Sequence, residues 1–311
     1  MLNTYPKISI VTANFNGGKY LEGTILSILN QNYPNLEYII IDGGSTDSSL
    51  EIIKKYEDSL AYWVSEKDEG VYHAIQKGFE KSTGEIMAWL NSDDLYHPNC
   101  LFTVAEIFSS FSDVNWLHGV PTLFDEMGRS VDVGRLRVWS RLDILLKDKK
   151  WLQQESTFWR RSLWQNAGSR LNTSLKYAAD FELWLRFFRY EKLFVCNSLL
   201  GGFRVRSSNQ LSLDNEDEYI AEAMNETDKE VNQHLSQKQR NAVIKSQRYI
   251  AFINRSRNHY LRFLKKLYYR FRIMKYRDKH FHCSEKIIFD KMAQKFKKDD
   301  IVYLLPKYGI E

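Results

Sequence analysis

The first 94 residues alternate short apolar runs, polar loops and amphipathic segments, and this alternation restricts the fold more than any other feature. The apolar runs at 7–13, 36–41, 60–65 and 86–90 have the length of buried strands. Stretches with apolar residues at helical spacing separate them. The order strand, loop, helix occurs three times before the fourth strand, which predicts an α/β fold with a mostly parallel sheet flanked by helices.

Each of these strands runs into a loop that carries Asp, Asn or Gly. The loops cover Asn14–Gly18, Asp42–Asp47, Lys67–Gly70 and Asn91–Asp94. In a parallel sheet the carboxyl ends of the strands share one edge, and ligands bind in the crevice outside that edge. The pattern therefore predicts a ligand-binding crevice lined by these four loops.

Asp93 and Asp94 stand side by side where the fourth strand leaves the sheet. Neighbouring carboxylates repel each other, so a cation that neutralises them would explain the pair. Oxygen ligands suit Mg²⁺ or Mn²⁺, and either ion can bridge to the phosphates of a nucleotide. The alternative is an Asp-Asp turn that caps the next helix.

Composition bounds the class of protein and its compartment. The chain has 311 residues, 43% hydrophobic and 14% aromatic, so it can bury the core of one large domain or two small ones. Its cysteines, Cys100, Cys196 and Cys283, are odd in number and far apart, which favours reduced thiols over a disulfide framework. The sequence shows no secretory signal and no apolar run near the ~18 residues that span a bilayer. We therefore expect a cytoplasmic protein.

Charge is distributed unevenly along the chain. Residues 1–100 carry seven Lys, no Arg and 14 Asp or Glu, whereas residues 238–280 carry 14 Lys or Arg against the single acid Asp278. Within residues 255–280 the basic side chains alternate with Tyr, Phe, Leu, Ile and Met, as in amphipathic helices that lie on anionic membranes. We expect this segment to bind the inner face of the cell membrane; the alternative is a solvated helix packed on the rest of the chain. We expect no nucleic-acid partner, because no recognisable nucleic-acid module is present.

Several ordered motifs resemble those of the family 2 glycosyltransferases, enzymes of the Rossmann-like glycosyltransferase-A fold. They are Ile10–Asn16 (IVTANFN), Gln31–Pro34 (QNYP), Ile41–Asp47 (IDGGSTD), Gly84–Ile86 (GEI) leading to Asn91–Asp94 (NSDD), and Ala179–Arg186 (ADFELWLR). The resemblance covers roughly residues 6–210 and is strongest to soluble members that add single sugars in cell-surface polysaccharide synthesis. It implies a catalytic domain at 1–210, with a nucleotide-sugar half at about 1–100 and an acceptor half at about 101–210. Residues 211–311 would form a helical, basic C-terminal extension.

The resemblance implies transfer of a sugar from a nucleotide-diphosphate donor to an acceptor hydroxyl, with inversion at the anomeric carbon. Such a displacement needs a general base for the acceptor and a positive group for the departing diphosphate. A divalent ion commonly supplies the second as a Lewis acid, so the expected cofactor is Mn²⁺ or Mg²⁺. The expected donor is a UDP-sugar, with GDP- and dTDP-sugars left open. The expected acceptor is a saccharide or a lipid-linked saccharide.

By motif position the resemblance makes Asp94 the metal ligand and Asp93 the contact to the donor ribose or sugar. Asp42 would hydrogen-bond the nucleobase or ribose. Its alternative role, a cap for the following helix, is disfavoured because Ser48 and Glu51 already have the spacing of a capping box. The remaining donor-binding candidates, each with a plain turn or loop residue as the alternative, are Thr12, Asn14 and Asp68.

Asp180, near the start of a helix predicted over 177–190, is the candidate general base. The family carries an acidic pair or a single Asp here, and with Ala179 in front, Asp180 stands alone. The helix N-terminus would lower the pKa of the carboxyl, so its function would depend on placement beside the acceptor rather than on basicity. Glu182 points elsewhere on the helix and is interpreted as structural.

Arg206 departs from the family pattern. Two residues after Gly202–Arg204, many relatives carry a His that helps to bind the metal or the diphosphate, and this chain has Arg206 there. Arg can bind a diphosphate through two hydrogen bonds but cannot coordinate a cation. We therefore expect Arg206 to contact the donor, and either the metal is bound weakly or Arg206 takes over part of its role.

These observations favour an inverting, metal-dependent glycosyltransferase. A catalytically silent nucleotide-sugar-binding subunit is the alternative, although such a subunit would be free to lose the aspartates. A nucleotidyltransferase shares the architecture and the aspartate–metal chemistry, but we find no Gly-rich, basic loop of the kind that binds a triphosphate near the first strand, and residues 1–100 contain no Arg. The absence of a Gln-x-x-Arg-Trp motif and of membrane spans favours single transfer over processive polymerisation.

Overall fold

The computed structural model describes residues 5–146, 152–207, 210, 214–255, 261, 263 and 285–299. The strands are, in chain order, β1 (Ile8–Asn14), β2 (Leu36–Asp42), β3 (Tyr62–Ser65), β4 (Ile86–Trp89), β5 (Leu95–Tyr96), β6 (Trp116–His118), β7 (Thr122–Phe124), β8 (Ser130–Val133), β9 (Thr157–Arg160), β10 (Phe194–Cys196), β11 (Gly201–Arg204), β12 (Glu285–Asp290) and β13 (Lys295–Lys298). The α-helices are α1 (Gly18–Leu29), α2 (Ser49–Lys55), α3 (Val71–Lys81), α4 (Cys100–Ser110), α5 (Arg141–Leu145), α6 (Arg161–Asn166), α7 (Ala179–Tyr190), α8 (Glu216–Gln233) and α9 (Gln237–Asn254). Short 3₁₀ turns occupy Glu57–Ser59 and Gln154–Ser156.

The described strands form a large sheet in the order β13-β12-β10-β6-β9-β4-β1-β2-β3. β3, β2, β1 and β4 are parallel neighbours, β9 runs antiparallel to β4 and β6, and β13 runs antiparallel to β12. The predicted α/β fold with a mostly parallel sheet is confirmed. The register places Asn14, Asp42 and Ser65 side by side at the carboxyl edge, so the loops gather there as predicted.

Hydrophobic cores lie on both faces of this sheet, which explains why its inner strands are apolar throughout. Along β1 the side chains alternate, so Val11 faces one core and Ile10 the other. The first core holds a cluster of stacked and edge-on aromatic rings, among them Trp89, Trp159 and Trp184. Trp159 and Trp184 are 0% and 1% exposed, which places them in the core rather than on a sugar face.

A second, smaller sheet in the order β5-β11-β7-β8 covers the carboxyl edge near Asp94. The β7–β8 hairpin turns through residues 125–129, and Asp125 closes the turn by accepting hydrogen bonds from the amides of Met127 and Arg129. β5 follows Asp94 directly and pairs with β11, whose last residue is Arg204. This pairing brings the residues after β11 to the aspartate pair.

The C-terminal third is not purely helical, which corrects the predicted helical extension at 211–311. β12 pairs in parallel with β10 and extends the large sheet, and Ile287 is fully buried in the second core. α8 and α9 contribute Ala223 and Val243 to the first core. These elements therefore share the cores of the strands at 8–204. The basic segment 255–280 lies, apart from residues 255, 261 and 263, outside the described residues.

No helix in the described ranges is long and apolar enough to cross a membrane. Cys100 and Cys196 are buried and free, as predicted, and burial raises the pKa of the Cys196 thiol to about 12. Such a thiol is inert at neutral pH. Cys283 lies outside the described residues.

Candidate active site

Asp42 is fully buried at the end of β2, and both oxygens of its carboxylate accept hydrogen bonds from neighbouring residues of the protein. Oδ1 accepts hydrogen bonds from Asn14 Nδ2 and Ser45 Oγ, both at 2.6 Å. Oδ2 accepts from Ser65 Oγ at 2.6 Å and from the amides of Gly44 and Ser45 at 3.1 and 2.9 Å. Burial alone would raise the pKa of Asp42, but these donors outweigh it and lower the pKa. The carboxylate holds the ends of three strands together, and its contact with the base or ribose stays a prediction.

Thr12 lies inside β1, as the apolar run at 7–13 predicts, and Asn14 is the last residue of β1 rather than the first residue of the loop after it. Thr12 is fully buried, and its Oγ1 accepts a hydrogen bond from the hydroxyl of Tyr38 at 3.1 Å. The structure therefore does not support a contact between Thr12 and a donor. Asn14 keeps one unused acceptor, because its Oδ1 has no hydrogen-bond partner among the residues described. A Cβ at Gly17 would overlap this oxygen, so the glycine leaves the space beside it open.

The helix α2, which follows the loop after β2, is capped by a different residue from the one predicted. Ser48 has helical backbone angles and makes no side-chain capping hydrogen bond to α2. Asp47 takes this role: its Oδ1 accepts from the amide of Ser49 at 3.0 Å, and its Oδ2 accepts from the amide of Gly18 at 2.9 Å. The capping box predicted for Ser48 and Glu51 is wrong, because Asp47 reaches the first turns of both α1 and α2.

Asp94 is fully buried, and each oxygen of its carboxylate has a partner. Oδ1 accepts a hydrogen bond from the amide of Arg204 at 2.8 Å, and Oδ2 accepts one from Asn91 Nδ2 at 3.1 Å. Burial raises the pKa of Asp94 well above its usual range, and the charges of Asp93 and Glu155 add to this effect. Burial also raises the pKa of Asp93. Crowded, buried carboxylates of this kind form an environment that a cation stabilises.

Two arginines at the end of β11 neutralise part of this negative charge. Arg204 Nε donates to the carbonyl oxygen of Asp93 at 2.5 Å, and its Nη1 donates to the carbonyl oxygen of Glu126 at 2.8 Å. Arg206 forms an ion pair with Asp93, with 3.1 Å between Nε and Oδ2. The Arg206 guanidinium also lies over the ring of Tyr20, 5.6 Å from its centroid. The structure thus brings Arg206 to the aspartate pair.

Glu155 belongs to the site. With Gln153 and Gln154 it is, by sequence, a candidate for binding sugar hydroxyls, but the sequence does not predict its place beside the aspartate pair. It lies in the 3₁₀ turn before β9 and is 5% exposed. Burial raises its pKa to about 7, and the charges of Asp180 and Asp93 act in the same direction. The run Trp151–Trp159 predicts a continuous strand, and that pattern conceals the turn. The polar run Gln153–Ser156 between apolar neighbours is the sequence signal that marks it.

Asp180 lies in the first turn of α7 and is half-buried. The hydroxyl of Tyr219 on α8 donates to its carboxylate, at 3.2 Å from Oδ1 and 3.4 Å from Oδ2. Burial raises the pKa of Asp180 to about 6, and the hydrogen bonds from the helix backbone and Tyr219 offset this only in part. The predicted lowering of the pKa by the helix N-terminus is therefore wrong. A carboxyl with a pKa near 6 can act as a general base close to neutral pH.

Asp68 and Glu182 make mainly local contacts. Asp68 Oδ1 accepts a hydrogen bond from the amide of Gly70 at 2.8 Å. A Cβ at Gly43 would lie 2.8 Å from Asp68 Oδ2, so the second and third loops meet there. The donor contact of Asp68 stays a prediction. Glu182 accepts hydrogen bonds from Arg186, from Nε at 2.9 Å and from Nη2 at 2.8 Å, which agrees with the structural interpretation.

The residues present fit a single divalent ion that is held partly by the protein and partly by the phosphates of a bound substrate. Within the described ranges, no group of three or more His, Cys, Asp or Glu side chains is arranged to hold a metal. Magnesium is often held by one or two carboxylates together with substrate phosphates. Asp94 with Asp93 suits that mode, since burial raises the pKa of both carboxyls and a bound cation would favour their ionised forms.

Comparison with known proteins identifies the family. The model for glycosyl transferase family 2 matches residues 9–158. An uncharacterised glycosyltransferase of Mycobacterium tuberculosis is 30% identical over 189 residues, which cover 60% of this chain and 70% of that protein. Another, from Rickettsia typhi, is 30% identical over 213 residues and 66% of either chain. This chain spans 66%, 40% and 65% of the relatives from Rickettsia typhi, Nostoc and Rickettsia prowazekii.

Solved structures share the architecture. Staphylococcus aureus TarS 1–349 in complex with UDP-GlcNAc has a TM-score of 0.63 at 19% identity, covering 81% of this chain and 74% of TarS 1–349. The mannosyltransferase PcManGT from Pyrobaculum calidifontis, in complex with GDP-Man and Mn²⁺, has a TM-score of 0.54 at 16% identity, covering 72% and 65%. At these identities the likeness establishes the glycosyltransferase-A-like fold and nothing further. Together with the family model, the Mycobacterium relative shows that this chain belongs to glycosyl transferase family 2.

Proposed function

We propose that this chain is an inverting glycosyltransferase that moves a sugar from a nucleotide-diphosphate donor to an acceptor hydroxyl. The observation that carries the proposal is the convergence of Asp93, Asp94, Glu155 and Arg206 at the carboxyl edge of the sheet. Asp180 lies close enough to this cluster for its charge to raise the pKa of Glu155. A group suited to the leaving diphosphate and a base suited to the acceptor therefore lie near each other in the fold.

Asp180 is the general base in this proposal. Its carboxylate, with a pKa of about 6, takes the proton of the acceptor hydroxyl while that oxygen attacks the anomeric carbon. Arg206 turns from Asp93 toward the departing diphosphate and stabilises its charge. Mn²⁺ or Mg²⁺ held by Asp94 and the donor phosphates would act as a Lewis acid for the same leaving group.

A UDP-sugar is the proposed donor. TarS 1–349 binds UDP-GlcNAc with the same fold, and PcManGT binds GDP-Man. A test with several nucleotide sugars must therefore distinguish a UDP-sugar from a GDP-sugar. In this proposal Asn14 Oδ1, which lacks a partner within the described ranges, accepts a hydrogen bond from the nucleoside. Asp42, Asp68 and Asp93 complete the proposed nucleoside and sugar contacts.

Donor binding and donor turnover test this function. Purified full chain is titrated by calorimetry with UDP-, GDP-, dTDP- and CDP-sugars, with Mn²⁺, Mg²⁺ or EDTA, and nucleotide release is followed with added saccharide acceptors. We expect one nucleotide to bind in a metal-dependent way. Asp94→Asn then loses metal-dependent release, and Asp180→Asn binds the donor but turns it over at least about 100-fold more slowly.

The matched control is Asp58→Asn, which changes an exposed aspartate in the 3₁₀ turn after α2. It should leave both binding and turnover unchanged. Binding without turnover across the acceptors would favour the silent nucleotide-sugar-binding subunit. No binding of any nucleotide sugar would overturn the proposal.

Arg206 has its own test. Arg206→Ala removes the cation paired with Asp93, so we expect weaker donor binding and a steeper dependence on added Mn²⁺. Arg129→Ala is the control, because Arg129 pairs with Asp125 on the exposed hairpin. Unchanged donor affinity and metal dependence in Arg206→Ala would reject a role for Arg206 at the diphosphate.

We also propose that the basic C-terminal region binds anionic lipid at the inner face of the cell membrane, where cell-surface polysaccharides or glycolipids are assembled. The exposed face of α9 supports this, because Ile244, Lys245, Arg248 and Phe252 share it at helical spacing. The test is sedimentation with phosphatidylglycerol-containing vesicles. Replacing the lysines and arginines of 255–280 by glutamine should abolish binding that the full chain shows at low salt. Equal binding of both would reject the proposal.

A further inference from the structure

The helix that carries Asp180 has no side-chain cap of its own. The N-cap of α7 is Ala178, which makes no side-chain capping hydrogen bond. Glu222 on α8 supplies a carboxylate at this end. Its Oε1 accepts from the amide of Lys176 at 3.0 Å, and its Oε2 accepts from the amides of Tyr177 and Ala178 at 2.8 and 2.9 Å. One side chain from a distant part of the sequence thus binds three consecutive amides directly before α7.

The same face of α8 also contacts Asp180 itself. Tyr219 precedes Glu222 by three residues, a spacing that puts both on one side of the helix. Its hydroxyl donates to the Asp180 carboxylate at 3.2 Å. Tyr177 donates its own hydroxyl to Asn215 Oδ1 at 3.1 Å, at the start of α8. The segment before α7 and the aspartate within α7 are therefore held by one neighbouring helix.

α8 is itself firmly attached to the rest of the fold. Glu230 is 2% exposed and binds Arg189 near the C-terminus of α7, with 2.5 Å between Nη2 and Oε2. Glu230 also binds Arg141 of α5 at 2.6 Å. Ala223 and Thr227 are fully buried between these contacts. α8 therefore lies along α7 in the same direction and is fixed at both ends.

We propose that α8 positions the general base, with Glu222 fixing the backbone at the start of α7 and Tyr219 orienting the Asp180 carboxylate. This inference rests on the proposed role of Asp180. It assigns Tyr219 and Glu222 as positioning residues, since neither is placed to receive the acceptor proton. Correct placement within a fraction of an ångström is what such residues contribute to catalysis.

Tyr219 and Glu222 shift the pKa of Asp180 in opposite directions, and they are two of the groups that face its carboxylate. These groups are Tyr219 and Glu222 from α8, Tyr72 from α3 and Glu155 from the 3₁₀ turn. The Tyr219 hydroxyl stabilises the ionised carboxylate, so its removal should raise the pKa of Asp180. The Glu222 charge opposes ionisation, so its neutralisation should lower that pKa.

Two conservative variants of the full chain, Tyr219→Phe and Glu222→Gln, test the inference. Tyr33→Phe and Glu226→Gln are the controls. Tyr33 donates to the carbonyl of Pro6 on another part of the fold, and Glu226 pairs with Lys229 one turn further along α8. The first readout is hydrogen exchange of the amides at 176–178. The second is the titration of Asp180 by carboxyl NMR of ¹³C-aspartate protein, with Asp180→Asn identifying the resonance.

In Glu222→Gln we expect the amides at 176–178 to exchange at least about tenfold faster than in the parent chain, and Asp180 to titrate at lower pH. In Tyr219→Phe, Asp180 should titrate at higher pH, and the amides at 176–178 should exchange as in the parent chain. Both variants should lower kcat about 10- to 100-fold at constant donor Kd, and the controls should match the parent. Shifts of the same sign, or amide exchange equal to that of Glu226→Gln, would overturn the inference.

The kinetic arm separates this inference from the proposed function. If Asp180→Asn keeps full turnover, Asp180 is not the base, and both claims fail together. If Asp180→Asn loses turnover while Tyr219→Phe and Glu222→Gln keep the parent kcat, only the positioning role is rejected.

Discussion

Two carboxyls in this protein, Asp180 and Glu37, have pKa values shifted in opposite directions by their surroundings. Asp180 is raised to about 6 because burial outweighs the donors around it. Glu37 is also buried, yet its pKa falls to about 2. It accepts hydrogen bonds from Lys7 Nζ and Ser9 Oγ, both at 2.5 Å, and from the amide of Thr83 at 2.6 Å. The number of donors, rather than burial alone, decides the direction.

Asp180→Asn should stabilise the fold at pH 7.5 by about 1–2 kcal/mol, allowing for partial exposure. The folded-state pKa of Asp180 lies above its usual 3.8. Its contribution to stability is therefore fully present below pH 3.8 and is lost as pH rises through about 6. Asparagine keeps the shape without the charge. Urea unfolding at pH 7.5 and pH 4.5 checks this, and an equal effect at both pH values would contradict it.

Glu37→Gln should destabilise the fold by about 2 kcal/mol at pH 7, because the ionised carboxylate of Glu37 binds a lysine and several neutral donors. Its folded-state pKa of about 2 lies below the usual 4.5. The contribution is therefore present above pH 4.5 and is lost as pH falls through about 2. Acid unfolding followed by circular dichroism should become shallower between these values in Glu37→Gln. The exposed Glu57, changed to Gln, should leave the acid transition as it is.

At the scale of elements, α3 packs closely on β1 because Gly78 has no side chain. A Cβ at Gly78 would overlap the Cγ1 of Val11, which is fully buried. Gly23 in α1 is different, since a Cβ there would meet nothing nearer than Arg204 Nη2 at 3.6 Å. Both glycines lie inside helices, where alanine is intrinsically preferred. The neighbouring strand, and not the helix, thus determines which glycine is required.

Gly78→Ala should lower the free energy of unfolding by about 1–3 kcal/mol through overpacking against Val11. Gly23→Ala should raise it by about 0.5–1 kcal/mol, because it reduces the entropy of the unfolded chain without a clash. Denaturant unfolding of both variants provides the comparison. Val11→Ala combined with Gly78→Ala should recover part of the loss. If both glycine variants behaved alike, the close approach of α3 and β1 would not be the cause.

At the scale of the whole molecule, the C-terminal third completes the cores of the glycosyltransferase region. Ala223 and Val243 pack in the first core and Ile287 in the second. Glu230 neutralises two arginines from earlier elements, Arg141 and Arg189. A chain without these residues would expose apolar surface and leave buried positive charge unpaired, and both are costly.

A chain truncated after residue 210 should therefore lack a cooperative fold. We expect aggregation or loss of near-ultraviolet circular dichroism, whereas a chain ending at residue 299 should unfold with a single transition. Size-exclusion chromatography and thermal unfolding provide the measurement. A truncated chain with the parent Tm would show that residues 1–210 fold independently.

Much of the fold was accessible from local patterns. The four strands that begin the sheet, the helices between them and the gathering of their loops follow from apolar periodicity and turn residues, which act over a few positions. The aspartate pair and Asp180 were recognised by motif. The place of Glu155 beside the aspartate pair was not predicted, because the strand pattern around it concealed a 3₁₀ turn. Ser48 was wrongly predicted to cap α2, because its spacing to Glu51 cannot show that the neighbouring Asp47 binds the amide of Ser49 instead.

The sequence by itself determined the order of elements up to β4, the family and the residues with suitable chemistry, because these depend on neighbouring positions along the chain. Tertiary structure alone decided how those residues behave. The pKa of Asp180 depends on burial and on Tyr219, 39 residues away. The addition of β12 to the sheet depends on pairing with β10 across a long connection. Desolvation and long-range contacts are properties of the packed molecule, and no local spacing contains them.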